Sequence, residues 1–135
     1  MEIKVIAFDA DDTLWINEPY FQETEKRFCE LLEDYHPQHT VSRELLKMEI
    51  HNLQIYGYGI KGYILSMIET ALAVTDKTIN IAVIEKILQF GKELLARPIE
   101  LLDGVEDVLA ALKDRYRLVV ATKGDLLDQE RKLKN

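Results

Sequence analysis

The chain has 135 residues, 47% of them hydrophobic and 30% charged, which fits one ordinary globular domain and excludes disordered and fibrous proteins. Acidic residues outnumber basic ones by 24 to 17, so the net charge of −7 offers no broad attraction to nucleic acid or to an anionic membrane. Cys29 is the single cysteine, so no intrachain disulfide can form, and a cytoplasmic, reducing location is expected.

The first predicted element is a short strand. Residues 3–8 read Ile-Lys-Val-Ile-Ala-Phe, a mostly apolar run rich in β-branched residues, which predicts a strand buried on both faces. Asp9 follows at its carboxyl end. Because Asp9 interrupts the apolar run so early, no secretory leader is expected, and no segment approaches the ~20 apolar residues of a membrane helix.

Four amphipathic helices are predicted between residues 16 and 98. Asn17 with Pro19 favours the start of the first, and Thr40 or Ser42 can cap the second. The third is predicted from about Lys61 to Val74, and the fourth covers 81–96. The apolar residues that define the buried faces are Phe21, Phe28, Leu31, Leu32 and Tyr35 in the first helix, Val41, Leu45, Leu46 and Leu53 in the second, and Ile64, Leu65, Ile68 and Leu72 in the third.

The last third of the chain returns to mixed structure. It is predicted to contain a short helix ending near Asp114, a buried strand over 117–122, and a final helix that begins at Gly124-Asp125. The fold class is therefore α/β, with part of a Rossmann-like parallel core and an inserted all-helical cap. The predicted boundaries are 1–15 for the first part of the core, 16–98 for the cap and 99–135 for the rest of the core.

A run of acidic residues follows the first strand. Asp9-Ala10-Asp11-Asp12-Thr13 would lie at the carboxyl edge of the sheet, where open parallel sheets bind ligands, and Thr122 would end the second strand at the same edge. A carboxylate there can bind a divalent cation and attack phosphorus, and a second acid two residues on is close enough to move protons. A like-charge cluster with nothing to bind would be costly, so function is favoured over a solvated turn.

These residues resemble the haloacid-dehalogenase superfamily. Asp9-Ala10-Asp11-Asp12-Thr13 matches the family's first motif, Asp-x-Asp-x-Thr after a hydrophobic strand, and Val119-Val120-Ala121-Thr122 matches its second, a strand ending in Thr. The mostly helical stretch between them is similar to the cap that the family inserts at this point. Within the superfamily, the dehalogenases lack the second Asp, so the presence of Asp11 implies phosphoryl transfer.

The resemblance implies a role for each matching residue. Asp9 would be the nucleophile that becomes an aspartyl phosphate, and Asp11 would protonate the leaving group and then activate water. The Asp9 carboxylate and the Asp11 backbone carbonyl would bind Mg²⁺. Thr122, with the backbone amides of Lys123 and Gly124, would bind the phosphoryl oxygens. The expected function is a Mg²⁺-dependent phosphatase acting on a small phosphorylated metabolite, with a phosphomutase or an inactive module that binds another protein as alternatives.

Two further motifs of the family, a basic residue and an acidic pair, have no match before Asn135. Lys132 and Lys134 on the final helix are expected to face solvent. Two strands cannot cover their own faces, so apolar residues of the core half should be exposed. Three explanations stay open: the chain is part of a longer protein whose C-terminal part completes the core, it associates with itself or another chain, or it is an inactive fragment.

Three other interpretations stay open beside these. Thr122 could instead be a helix N-cap, with Asp125 as an alternative cap. Residues 56–62, Tyr-Gly-Tyr-Gly-Ile-Lys-Gly, are expected to be a flexible loop between helices, with closure over a substrate as the functional alternative. Trp15 is expected to pack at the hinge between core and cap, with contact to a leaving group as the alternative.

Overall fold

The computed structural model describes residues 2–122 and 126–134, which form two strands and six helices in the predicted order. Their bounds are β1 (Val5–Asp9), α1 (Glu18–Leu31), α2 (Gln38–Tyr56), α3 (Ile60–Val74), α4 (Ile81–Ala96), α5 (Val105–Leu112), β2 (Arg117–Ala121) and α6 (Leu126–Lys134). The α/β class with a parallel sheet is confirmed. Among the described helices, none has both the length and the apolar character needed to cross a bilayer.

Helices α1 to α4 share one hydrophobic core. Fully buried side chains from all four meet there, including Phe28 of α1, Leu45 of α2, Met67 of α3 and Ile87 of α4. The predicted buried faces are too wide: Tyr35 lies beyond the end of α1 and is exposed, and Leu46, Leu65 and Leu72, each directly after a core position on its helix, are exposed as well. A residue next to a core position on a helix is rotated about 100° away from it, which takes these side chains toward solvent.

Local signals explain where these helices begin and end. The Asn80 side chain accepts a hydrogen bond from the backbone N–H of Ala82 at 2.8 Å and caps α4, as expected of Asn at this position. The prediction that Thr40 or Ser42 caps α2 is wrong. The helix begins at Gln38 directly after Pro37, whose φ of −68° is already suited to a helix start.

The sheet is formed by β1 and β2, which pair in parallel. The register places Val5 opposite Arg117 and Asp9 opposite Ala121, so the carboxyl ends of both strands lie side by side. The prediction of strands buried on both faces is wrong for the described chain, since Val5 is 51% exposed and Val119 is 38% exposed. The expectation of exposed apolar residues on the core half is confirmed.

A second, smaller apolar cluster lies beside the sheet. Ala10, Leu14, Trp15 and Val105 are buried there, and Phe8, Ile99, Leu102 and Leu109 pack against them. The cluster thus joins the turn after β1 to α5. It holds in place the segment that carries the acidic run.

The two segments that connect this cluster to the helices run antiparallel to each other. The N–H of Ile16 donates to the carbonyl of Glu100 at 2.8 Å, and the N–H of Leu102 donates to the carbonyl of Leu14 at 3.0 Å. The Tyr20 hydroxyl also donates to the Glu100 carboxylate at 2.7 Å. The chain therefore enters and leaves the four-helix unit at one place.

Candidate functional site

A tight turn follows β1 and carries the acidic run. The carbonyl of buried Ala10 accepts hydrogen bonds from the N–H groups of Thr13 at 3.1 Å and Leu14 at 2.8 Å. Asp12 has a φ of 60°, in the left-handed region that Asp tolerates better than most residues. The turn places the three carboxylates in different environments.

Asp9 ends β1 with an exposed side chain. Its Oδ2 accepts a hydrogen bond from the Thr13 hydroxyl at 3.2 Å. Because Asp9 lies opposite Ala121, the strand ends bring Thr122 to the same edge of the sheet. This position suits a nucleophile, because an accessible carboxylate fixed at a strand end can be approached by a ligand.

Asp11 is partly buried and is held by three donors. The Trp15 indole N–H donates to Oδ1 at 2.9 Å, and the Lys132 ammonium donates to the same oxygen at 3.0 Å. The Gln129 amide donates to Oδ2 at 3.1 Å. The expectation that Lys132 faces solvent is wrong, since its side chain is 16% exposed and also lies 3.7 Å from Asp128.

Asp12 faces away from its two acidic neighbours. Its Oδ1 accepts hydrogen bonds from the backbone N–H groups of Asn17 and Glu18, each at 2.9 Å, and Oδ2 accepts from Glu18 at 3.0 Å. A carboxylate at this place satisfies N–H groups at the start of α1 that have no partner within the helix. Asp12 is therefore a helix cap that joins the motif turn to the helical unit.

A cavity of about 590 Å³ lies between the strand ends and the helical unit. Asp9, Asp11 and Thr122 form part of its wall, and Lys132 closes another part. The opposite wall comes from α1, α2, α3 and the loop between α2 and α3: Asn17, Phe21, Glu49, Asn52, Leu53, Tyr56, Gly57, Tyr58, Gly59, Ile60, Gly62, Tyr63 and Ser66. The prediction of a loop over residues 56–62 is too long, because α2 extends to Tyr56 and α3 begins at Ile60, and the actual loop of residues 57–59 contributes to this wall.

Hydrogen bonds fix the polar part of that wall. The Asn52 amide donates to the Ser66 hydroxyl at 3.1 Å and to the Glu69 carboxylate at 2.7 Å, and the Tyr56 hydroxyl donates to Glu69 at 2.7 Å. These bonds from Asn52 and Tyr56 lower the pKa of Glu69. Gly57 has a φ of 73° and ends α2, a conformation that favours glycine.

Glu49 is a partly buried carboxyl group of the cavity wall. Burial, followed by the negative charges of Glu25 and Glu18, raises its pKa to about 7. The same surroundings raise the pKa of Tyr63, again mainly through burial. A neutral Glu49 can donate a hydrogen bond, whereas a charged one only accepts.

Comparison with known proteins identifies the family. The family model described as haloacid dehalogenase-like hydrolase matches residues 3–135. The chain belongs to this family. None of the curated proteins compared matches this chain.

Solved structures agree with this family and fold. A haloacid dehalogenase-like family hydrolase from Xanthomonas campestris is 41% identical, with a TM-score of 0.91 over 98% of this chain and 55% of that one. The HAD-hydrolase YfnB from Bacillus subtilis, solved bound to magnesium, is 17% identical, with a TM-score of 0.54 over 99% of this chain and 60% of that one. A predicted phosphoglycolate phosphatase from Haemophilus somnus is 19% identical, with a TM-score of 0.52 over 98% of this chain and 56% of that one. The chain thus spans little more than half the length of these haloacid dehalogenase-like proteins.

The acidic side chains of the turn fit a magnesium ion chemically. Mg²⁺ prefers oxygen ligands and is commonly held by one or two carboxylates, with water and substrate phosphate completing its shell. The exposed Asp9 carboxylate offers such oxygens at the cavity, and Asp11 lies beside it on the same wall. Within residues 2–122 and 126–134, no group of three or more Asp, Glu, His or Cys residues suited to a metal is found.

The predicted phosphate contacts are only partly described. Thr122 lies at the cavity, while Lys123, Gly124 and the alternative cap Asp125 lie outside the described residues. Sequence reasoning did not find Gln129 or the cap role of Asp12. Gln129 and Lys132 are three positions apart on α6, a spacing that places both on one helix face and could have indicated a shared contact.

Proposed function

We propose that this chain carries the nucleophile and the acid/base of a phosphohydrolase that acts on a small phosphorylated metabolite. The observation that carries the proposal is the pair Asp9 and Asp11, which a single turn places at the strand ends and at one end of a cavity. Membership of a hydrolase family supports the reaction class. A cavity of about 590 Å³ is in the range of sites for small molecules.

The reaction would proceed in two displacements. An Asp9 carboxylate oxygen attacks phosphorus, the bond from phosphorus to the leaving oxygen breaks, and Asp11 donates a proton to that oxygen. Water then attacks the phosphorus of phospho-Asp9, and Asp11 accepts the proton of the water. Inorganic phosphate leaves, and both carboxyl groups return to their starting states.

Magnesium would be held by the Asp9 carboxylate and the Asp11 backbone carbonyl. When bound, the ion supplies positive charge that offsets the negative charge of the phosphoryl group. Thr122, with the backbone amides of Lys123 and Gly124, is proposed to bind the phosphoryl oxygens. Residues 16–98 are proposed to act as the cap that closes the cavity and excludes water, between core segments 1–15 and 99–135.

Phosphate release from a panel of phosphorylated alcohols and sugars, with Mg²⁺ present, tests the proposal. We expect Asp9→Asn to lower kcat by about 10³-fold or more, because the nucleophile is lost. The matched control is Asp12→Asn, which alters the adjacent acid but lies on the helix cap and should retain activity. Mass spectrometry of acid-quenched reactions should find phosphate on the peptide that contains Asp9.

Other results would contradict the proposal. Equal phosphate release by Asp9→Asn and the unaltered chain would exclude Asp9 as the nucleophile. Phosphate retained on an isomerised substrate, with none released, would identify a phosphomutase instead. If no compound of the panel loses phosphate and no phospho-Asp9 forms, an interaction module without catalysis becomes the better description.

A further inference from the structure

Trp15 makes a polar contact that the proposed reaction has not used. Its side chain is 5% exposed, and its indole N–H lies 2.9 Å from Oδ1 of Asp11, four positions earlier in the chain. A buried indole N–H needs an acceptor, and an indole has a donor but no acceptor. Oδ1 of Asp11 is therefore fixed as the accepting oxygen of this contact.

Both the backbone and the side chain of Trp15 are anchored. The Trp15 carbonyl accepts a hydrogen bond from the N–H of Asp12 at 2.8 Å, and the indole packs in the apolar cluster with Ala10, Leu14 and Val105. The segment also pairs with Leu101 of the second connecting segment. The indole therefore has little freedom to move away from Asp11.

The other donors to Asp11 come from a distant part of the chain. Gln129 and Lys132 both lie on α6, and Lys132 donates to the oxygen that Trp15 also contacts. Oδ1 accepts from both Trp15 and Lys132, whereas Oδ2 accepts from the Gln129 amide, so Oδ2 is the oxygen with more room for a transferred proton. An amide such as that of Gln129 can turn to present either its NH₂ group or its carbonyl oxygen to Oδ2.

We infer that Trp15 is a positioning residue for Asp11, which fixes the plane of the carboxyl group and directs the transferable proton to Oδ2. The inference rests on the proposed function, in which Asp11 protonates the leaving group. An acid works only when its proton points at the atom that receives it, so a rotated carboxyl group would transfer protons more slowly. Trp15 is not among the residues that line the cavity with Asp9 and Asp11, so it would act through its contact with Asp11.

A comparison of leaving groups separates positioning from packing. A phosphorylated alkyl alcohol needs protonation of its leaving oxygen, whereas p-nitrophenyl phosphate has a stable anion as its leaving group and needs little. We expect Trp15→Phe to lower kcat/KM for the alkyl phosphate by about 10-fold and that for p-nitrophenyl phosphate by less than about threefold. Asp11→Asn should show the same selectivity with a larger loss.

Each pattern has a distinct meaning. If Asp11→Asn lowers both rates equally, the acid/base role fails, and the proposed function fails with it. If Asp11→Asn is selective while Trp15→Phe lowers both rates equally or neither, only the inference about Trp15 is overturned. Trp15 is the single tryptophan, so growth of the expression host on a benzothienyl analogue of tryptophan changes this residue alone. Sulphur replaces the indole N–H in this analogue, which gives a second variant with nearly unchanged shape.

Nuclear magnetic resonance tests the contact without any need for activity. The single tryptophan gives one indole N–H cross-peak, which we expect to be protected from hydrogen exchange and to shift in Asp11→Ala. Asp9→Ala is the matched control and should leave the peak in place, since Asp9 bonds to Thr13. An indole peak that stays unchanged in Asp11→Ala would overturn the inference.

Discussion

Replacing Asp12 by alanine should destabilise the start of α1. The Asp12 carboxylate accepts hydrogen bonds from the backbone N–H groups of Asn17 and Glu18, and Asn17 provides no side-chain cap of its own. In Asp12→Ala these N–H groups would have only water as a partner. The start of α1 would then lose its connection to the motif turn.

Three contributions set the size of the effect. Loss of a capping side chain costs about 1 kcal/mol, and loss of a negative charge at a helix N-terminus costs about 0.3 kcal/mol at an exposed site. Alanine also tolerates the φ of 60° at this position less well than Asp does. We therefore expect a loss of about 1.5 kcal/mol in the free energy of unfolding, or roughly 5 °C in Tm.

Two further variants separate these contributions in thermal and urea unfolding followed by circular dichroism. Asn at position 12 retains an acceptor and tolerates positive φ, so Asp12→Asn should lower the free energy of unfolding by only about 0.5 kcal/mol. Asp12→Gly loses the acceptor but adopts positive φ freely, so its free energy of unfolding should lie between those of Asp12→Ala and Asp12→Asn. Equal stability of Asp12→Ala and the unaltered chain, or a glycine variant as stable as the unaltered chain, would refute the capping role.

Two other sites give measurable expectations. The pKa of Glu49 is raised to about 7 in the folded chain from about 4.5, so its contribution to stability is fully present below pH 4.5 and is lost as pH rises through 7. Glu49→Gln stays neutral at every pH, so its free energy of unfolding in urea titrations should exceed that of the unaltered chain by about 1 to 2 kcal/mol at pH 8 and by little at pH 4. Glu85→Gln, at an exposed position, is the control and should show no such dependence on pH. Gly91→Ala should lower stability by about 1 to 2 kcal/mol in thermal unfolding, because a Cβ atom there would lie 2.8 Å from Cγ1 of Ile64. Gly91→Ala should cost less in an Ile64→Ala background, which lacks Cγ1 and Cδ1, and a Gly91→Ala chain more stable than the original would contradict the close contact of Gly91 with Ile64.

Elements with strong local signals were predictable from the sequence. The bounds of α4 agree with the prediction because Asn80 caps its start and Pro98 prevents its continuation. Asp9 and Asp11 were predicted to share one turn because only one residue separates them. Such features depend on neighbours in the chain, which a single sequence displays directly.

Features that depend on distant residues were not predictable in the same way. The contact between Lys132 and Asp11 joins two residues at opposite ends of the sequence, and the shared helix face of Gln129 and Lys132 does not indicate which distant residue they contact. The exposure of β1 and β2 depends on how many strands form the sheet, which an apolar run cannot show by itself. Asp12 was grouped with its acidic neighbours because the sequence does not show that a left-handed turn directs it toward α1.

The pairing of the two connecting segments bears on the order of folding. β1 and β2 lie at opposite ends of the sequence, so their pairing in an unfolded chain must close a very long loop. Once α1 to α4 have formed, Tyr20 and Glu100, 80 positions apart, are already in contact, and the effective loop is only the short connections on either side. Shortening the loop roughly fourfold lowers the entropic cost of closure by about 1 kcal/mol. Formation of the helical unit before the sheet would therefore ease the strand pairing that brings Asp9 and Thr122 to the same edge.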